Sequence, residues 1–234
     1  CDYDRINAIA AEHDLHVIED AAQGLGGEYK GKKACALTKV GCTSFFPAKP
    51  LGCFGDGGAV FTDDDDLHQK LVSIRIHGKG TDKYDNVRVG LNGRMDTLQA
   101  AILLPKLAVF PEEIKKRQAI AGKYTQSLQG KSPTLRTPHV PEDCLSVWAQ
   151  YSLITENESK RSELQNGLKE AGIPTAVYYP KPLHLQSAFK DYGYAHGDMP
   201  VSEDCSQRIF SLPMHPYLHK EDQDRIIQAI TKLC

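Results

Sequence analysis

Residues 44–63 read SFFPAKPLGCFGDGGAVFTD. Two short apolar runs, KVGCTSFF at 39–46 and GAVFT at 58–62, bracket a stretch broken by proline and glycine, the pattern of two strands joined by an irregular loop. Lys49 lies in that loop with Pro47 and Pro50 on either side, behind Phe45 and Phe46 and ahead of Gly52, Gly55, Gly57 and Gly58. A lysine is ordinarily a solvated surface residue, and this one stands among apolar and backbone-exposing neighbours.

Working outward, DRINAIAAEHD at 4–14 places Ile6, Ile9 and Ala10 on one helical face, and LHVIED at 15–20 is a short apolar strand ending in two acids. Downstream, DDDDLHQKLVSIRIHG opens as an acid-rich helix N-terminus and stops at Gly78. Helix alternating with strand predicts an α/β layered domain. Residues 79–93 are polar and glycine-punctuated, a surface loop. MDTLQAAILLPKLAVF and PEEIKKRQAIAGKYTQSLQG then read as two helices, with Pro105 and Pro111 expected to kink or separate them.

Beyond about residue 130 the pattern changes. A proline-rich passage leads into a strand VWAQYSLI, a helix SKRSELQNGLKEAGI, a strand TAVYY, and closing helices near 201–209 and 220–233. These predict a smaller α+β domain, dividing the chain into 1–110 and 111–234.

Composition narrows the function. Of 234 residues, 41% are hydrophobic and 25% charged, and the formal charge of -2 offers no basic field for a nucleic-acid backbone. No run approaches bilayer length, and CDYDRINAIAAEH lacks signal-peptide features, so a cytoplasmic protein with no membrane partner is expected. The seven cysteines form no C-x-x-C pair and suggest neither a disulfide framework nor zinc. His77, His215 and His219 have no metal-ligand spacing, so no metal is expected. The opening Cys1, with a helical pattern almost at once, reads as an internal cut, a chain truncated at its N-terminal side.

An amine attacks a carbonyl only when unprotonated, and an ordinary lysine titrates at about 10.4. Apolar surroundings favour the neutral form and make Schiff-base lysines possible. Phe45, Phe46, Pro47 and Leu51 are a candidate wall, and the glycines would let backbone approach a planar group or a phosphate. Asp20 ends the strand LHVIED, and ligands of open α/β sheets lie beyond the carboxyl ends of strands. It could hold the ring nitrogen of pyridoxal 5'-phosphate (PLP) protonated; a turn or capping aspartate is the plainer alternative. Its neighbour Glu19 should face the other way.

VIEDAAQGLGGEYKGKKA, SFFPAKPLGCFGDGGAVFTDD, IRIHGKG and GLNGRMDTLQAAILLPKL together resemble the DegT/DnrJ/EryC1/StrS family of PLP-dependent sugar aminotransferases. The resemblance implies the fold-type I, aspartate aminotransferase-like α/β fold. Residues 1–110 would be the C-terminal portion of the PLP-binding large domain, and 111–234 the small C-terminal domain. WAQYSL, PTAVYYPKPLHLQ and SLPMHPYL resemble members that aminate a UDP-linked 3-keto-hexuronic acid for surface polysaccharide such as O-antigen, with glutamate as donor and 2-oxoglutarate as by-product.

By that resemblance Lys49 joins covalently to the cofactor and shuttles a proton, and Asp20 pairs with the pyridinium nitrogen. Gln23 contacts the ring face or its 3-hydroxyl, and Ser44 binds the phosphate. Asn92 reaches the phosphate of a neighbouring subunit, implying a homodimer with a shared site. Arg94 is a candidate for an anionic group of donor or sugar. Tyr178, Tyr179 and His184 are candidates for lining the sugar pocket, although tyrosines on a strand also fill cores. Related sugar dehydratases carry histidine at the motif lysine, whereas position 49 is lysine; a catalytically silent fragment or regulatory homologue is the remaining alternative. The family also has an earlier segment, with a phosphate-binding helix and a ring-stacking aromatic, that these residues do not include.

Overall fold

A computed structural model describes residues 1–82 and 84–234. The chain divides into two compact units, one of Cys1–Ile114 with Val140–Ala149, the other of Lys115–His139 with Gln150–Cys234. The first unit's main segment runs to 114, and residues 140–149 belong with it.

In the first unit, helix α1 (Tyr3–Glu12) is capped by Asp2, whose carboxylate accepts from the Arg5 amide at 3.2 Å and from the Tyr29 hydroxyl at 3.0 Å. Of its predicted apolar face, Ala10 is buried while Ile6 and Ile9 are exposed. Strand β1 (Ile18–Asp20) follows, then the short β2 (Glu28–Tyr29) and β3 (Lys32–Lys33), and then β4 (Val40–Ser44) and β5 (Gly58–Phe61). β4 is the centre of a three-stranded sheet, parallel to β1 with Asp20 opposite Cys42, and antiparallel to β5 with Ser44 opposite Gly58. Helix α2 (Asp65–Arg75) is capped by Asp64, which accepts from the Leu67 amide at 2.9 Å.

Helix α3 (Thr97–Leu128) is one element of 32 residues, so Pro105 and Pro111 do not separate two helices. Each proline removes one backbone hydrogen bond. Both rings lie at exposed positions, where water can take up the freed carbonyls. Phe45, Leu51, Cys53, Leu103 and Phe110 form a buried cluster joining α3 to the residues between β4 and β5. Each large side chain there contributes about 1.5–3 kcal/mol by leaving water.

In the second unit, β6 (Leu135–Arg136) begins a sheet. The intervening β7 (Cys144–Leu145) instead pairs with β2 of the first unit. β8 (Tyr151–Thr155) pairs antiparallel with β6 and with β9 (Ile209–Leu212). It starts four residues later than the predicted VWAQYSLI strand. Helices α4 (Glu158–Glu170), α5 (Pro200–Arg208) and α6 (Lys220–Leu233) complete the unit. Its interior holds Leu153, Leu164, Leu168, Phe210, Ile226 and Ile230.

The predicted TAVYY strand is reduced to one bridge, Ala176 with Ser211. The next hydrogen-bonded pair on one side would be Pro174 with Pro213, and neither has an N–H to extend a ladder. Among the described residues no helix is long and apolar enough to cross a membrane.

Candidate active site

The two acids at the end of β1 separate as strand alternation demands. Glu19 is buried, and its carboxylate accepts from the amides of Cys35 at 2.8 Å and Leu37 at 3.1 Å. Asp20, on the opposite face, is exposed. Its Oδ1 accepts from the Ala22 amide at 2.9 Å, the local turn that aspartate favours. Oδ2 has no partner among the described residues. The register puts Asp20 opposite Cys42, so Asp20, Cys42 and Ser44 share one face of the sheet, while Glu19, Gly41 and Thr43 share the buried one. Two further bonds fix this end of β1 to β4: the Ala21 amide donates to Cys42 O at 2.8 Å, and Thr43 Oγ1 donates to Ala21 O at 3.0 Å.

Lys49 comes five residues after Ser44, in a loop whose backbone is heavily bonded. The Phe46 amide donates to Ser44 Oγ at 3.2 Å, and the Lys49 amide to Phe46 O at 2.9 Å, closing a turn with Pro47 at the position proline prefers. The Cys53 amide returns to Phe45 O at 2.8 Å, and Phe45 N donates to Gly57 O at 2.8 Å. The Lys49 side chain itself is half-buried. Of its expected wall, Phe45 and Leu51 are buried in the core under the loop, whereas Phe46, 50% exposed, and Pro47 face outward.

Two of the glycines, Gly52 and Gly58, have a structural purpose of their own. A Cβ on Gly52 would lie 2.6 Å from Phe46 O and 2.8 Å from Pro47 O, and one on Gly58 would lie 2.8 Å from Thr43 O. Their side-chain space is filled by this chain's own backbone, so they are required for the loop to fold back on β4.

Gln23 is exposed in the turns that follow β1. Asn92 bridges Ile76, and its Oδ1 accepts from Arg94 Nε at 3.2 Å, so these two side chains are mutual partners on an exposed segment. The first unit therefore brings Asp20 and Ser44 to one face of β1 and β4, with Lys49 in the loop that leaves β4. It pairs Asn92 with Arg94 beyond α2.

Tyr178, Tyr179 and His184 belong to the second unit. The two tyrosine rings meet edge-on at 5.7 Å and are exposed. His184 is differently placed. Its side chain is 8% exposed and its Nε2 lies 3.0 Å from Glu203 Oε1, so one ring nitrogen is already engaged. Glu203, which the sequence did not single out, is the hub of this region. It accepts from the Gly197 amide at 2.9 Å and the Met199 amide at 3.2 Å, and His196 Nε2 lies 3.2 Å from its other oxygen. Burial works against its charge, but the Gly197 and Met199 amides and the two histidines outweigh it and hold the carboxyl below the usual range. The signal in the sequence is faint: an acid in the first turn of a helix that opens with Pro200.

An amine in the loop leaving β4, with a hydroxyl and a carboxylate at the ends of β4 and β1, is the arrangement of an open α/β protein whose polar groups gather at the carboxyl ends of its strands. The chain belongs to the DegT/DnrJ/EryC1/StrS aminotransferase family, which it matches over residues 1–231. It is 49% identical to a UDP-2-acetamido-2-deoxy-3-oxo-D-glucuronate aminotransferase of Pseudomonas aeruginosa, across 98% of this chain and 62% of that protein. Among solved structures it is similar to a DegT DnrJ EryC1 StrS aminotransferase from Brucella abortus, at TM-score 0.92 and 50% identity, covering 98% of this chain and 60% of that one. It is also similar to S. venezuelae DesV in complex with a ketimine intermediate, at TM-score 0.94 and 36% identity, covering 99% and 61%. The chain thus spans about three fifths of the length of the relatives it matches.

Proposed function

We propose that this chain serves PLP-dependent transamination, in which glutamate gives up its amine, 2-oxoglutarate leaves, and the carbonyl of a nucleotide-linked sugar becomes an amine. The observation that carries the reading is the shared sheet face of Asp20 and Ser44, with Lys49 closing a turn in the loop that follows the strand ending at Ser44. The donor set suits the cofactor: an exposed carboxylate oxygen without a partner among the described residues, a hydroxyl free to donate, and a half-buried amine. When bound, PLP supplies an aldehyde that takes up amines and a cationic ring that draws electrons from the adjacent carbon.

Lys49 would hold that aldehyde through Nζ and afterwards move a proton with the same nitrogen. Asp20 would keep the ring nitrogen protonated, Ser44 would donate to the phosphate, and Gln23 would lie against the ring or its 3-hydroxyl. Asn92 would reach a phosphate across a homodimer, and Arg94 would bind a carboxylate of donor or sugar. Tyr178 and Tyr179, exposed in the second unit, and His184, held by Glu203, would line the sugar side. Residues 1–110 would act as part of the cofactor-binding domain and 111–234 as the small domain.

The Pseudomonas relative supports a UDP-linked 3-keto-hexuronic acid as the sugar, which would place the work in the cytoplasm, ahead of surface polysaccharide such as O-antigen. The test is borohydride reduction of the PLP-loaded complete gene product followed by peptide mapping. The tag is expected on Lys49, and the visible band of the unreduced protein should disappear when glutamate is added. A tag at any other residue sinks the proposal.

A further inference from the structure

The loop that carries Lys49 has two limbs. The first, 44–49, is set by β4, by Ser44 and by the turn closed between Phe46 and Lys49. The second, 52–55, contains no strand or helix, yet several of its backbone groups are bonded, the Cys53 amide to Phe45 O among them. Cys53 Sγ lies 3.0 Å from Gly55 O. α3 takes two more: Lys106 Nζ donates to Gly52 O, and Gln99 Oε1 accepts from the Phe54 amide at 2.9 Å.

These contacts come from one stripe of the helix. Gln99, Leu103, Lys106 and Phe110 recur at helical spacing, and Leu103 and Phe110 are buried in the same cluster as Phe45, Leu51 and Cys53. The apolar members hold the loop down, and the polar members fix where its backbone points. The amide of Gln99 also lies against Gly55, with Nε2 2.9 Å from where a Cβ would stand. The Lys106 ammonium sits 5.6 Å from the centre of the Phe54 ring.

Only Pro50 and Leu51, both buried, separate Lys49 from the gripped segment. Proline fixes its own φ, so this tether is short and stiff. A shift of Gly52 or Phe54 is therefore passed to the backbone of Lys49.

We infer that Gln99 and Lys106 are positioning residues for Lys49, gripping the far limb of its loop so that the amine is presented at a fixed place on the sheet face of Asp20 and Ser44. The inference rests on Lys49 being the amine that takes up PLP. Neither residue touches the cofactor in this account.

The test measures capture of PLP rather than turnover. Cofactor-free complete gene product is mixed with PLP, quenched with borohydride at intervals, and the tag on the peptide containing Lys49 is quantified. Gln99→Leu and Lys106→Met are each expected to slow capture at Lys49 about tenfold or more, since misplacement on the order of 1 Å can cost up to about 100-fold. In both, amide hydrogen exchange across 46–55 should quicken without cofactor present. Gln99→Glu, which keeps an acceptor for the Phe54 amide, should restore the rate. A residue that only adds stability would lower the melting temperature and leave the capture rate of the folded protein unchanged. Capture at the unsubstituted rate in either Gln99→Leu or Lys106→Met, or Gln99→Glu as slow as Gln99→Leu, overturns the inference. A tag absent from Lys49 in the unsubstituted protein is the separate failure of the proposed function.

Discussion

Two adjacent acids, Glu19 and Asp20, should behave oppositely when neutralised. Glu19→Gln keeps one oxygen but turns an NH2 toward an amide that was donating to a carboxylate, at Cys35 or at Leu37. A hydrogen bond to a charged group is worth about 1.5–3 kcal/mol, and a buried donor left without an acceptor costs about 1–3 kcal/mol. These overlap, so the net loss is about 2–4 kcal/mol, or a fall in melting temperature of roughly 5–15 °C for a chain of this size. Asp20→Asn, by contrast, is exposed and retains an oxygen for the Ala22 amide. It should stay within about 0.5 kcal/mol, the ordinary range for surface substitutions. Scanning calorimetry on this chain without cofactor measures both. The same Asp20→Asn substitution in the PLP-loaded complete gene product should slow the loss of the visible band on adding glutamate. A Glu19→Gln protein melting within about 2 °C of the parent, or an Asp20→Asn protein destabilised as much as Glu19→Gln, would refute the division of labour between the two faces of β1.

Gly52→Ala should distort the lysine loop, because its Cβ would meet backbone oxygens of Phe46 and Pro47 at 2.6 and 2.8 Å. The expected cost is about 1–3 kcal/mol by urea unfolding, as for other overpacked sites, together with slower tagging of Lys49; an unchanged midpoint would count against the fold-back described for the loop. Lys49→Arg should leave melting nearly unaltered, since the side chain makes no described bond, and should abolish the borohydride tag. Glu203 supplies a pH dependence. Its folded carboxyl is held below the unfolded value near 4.5, so between the two values the unfolded state binds more protons. The stabilisation it brings is therefore present above about pH 4.5 and lost as pH falls through the lowered folded value. Cleavage within 193–199 by an acid-active protease should rise over that window in the parent and be high throughout in Glu203→Gln; a flat profile in the parent would exclude the carboxylate as the anchor.

What could be read beforehand was what chain-local periodicity determines. Alternation along LHVIED put Glu19 and Asp20 on opposite faces, and helical spacing located α1, α2, α4 and α6 to within a few residues. The misreadings share a cause, in that each depended on what lay across from the residue. Pro105 and Pro111 were tolerated in α3 because their rings fall at exposed positions, a property of the folded unit rather than of proline. TAVYY has the composition of a strand, but Pro174 and Pro213 hold the register positions where its ladder with β9 would extend, a pairing that exists only once β9 is in place. Nor does any local rule show that a Cβ on Gly52 or Gly58 would meet the oxygens of Phe46, Pro47 and Thr43. Glu203 and His184, nineteen positions apart, could not be joined by any local rule. The same reasoning bears on the lysine loop. Its near limb was legible in SFFPAK as a strand end running into a proline-broken loop, whereas its far limb is set by Gln99 and Lys106 through contacts 45 and 54 positions away. A local motif can thus name the reactive residue, while the residues that aim it must be sought on the helix packed beneath.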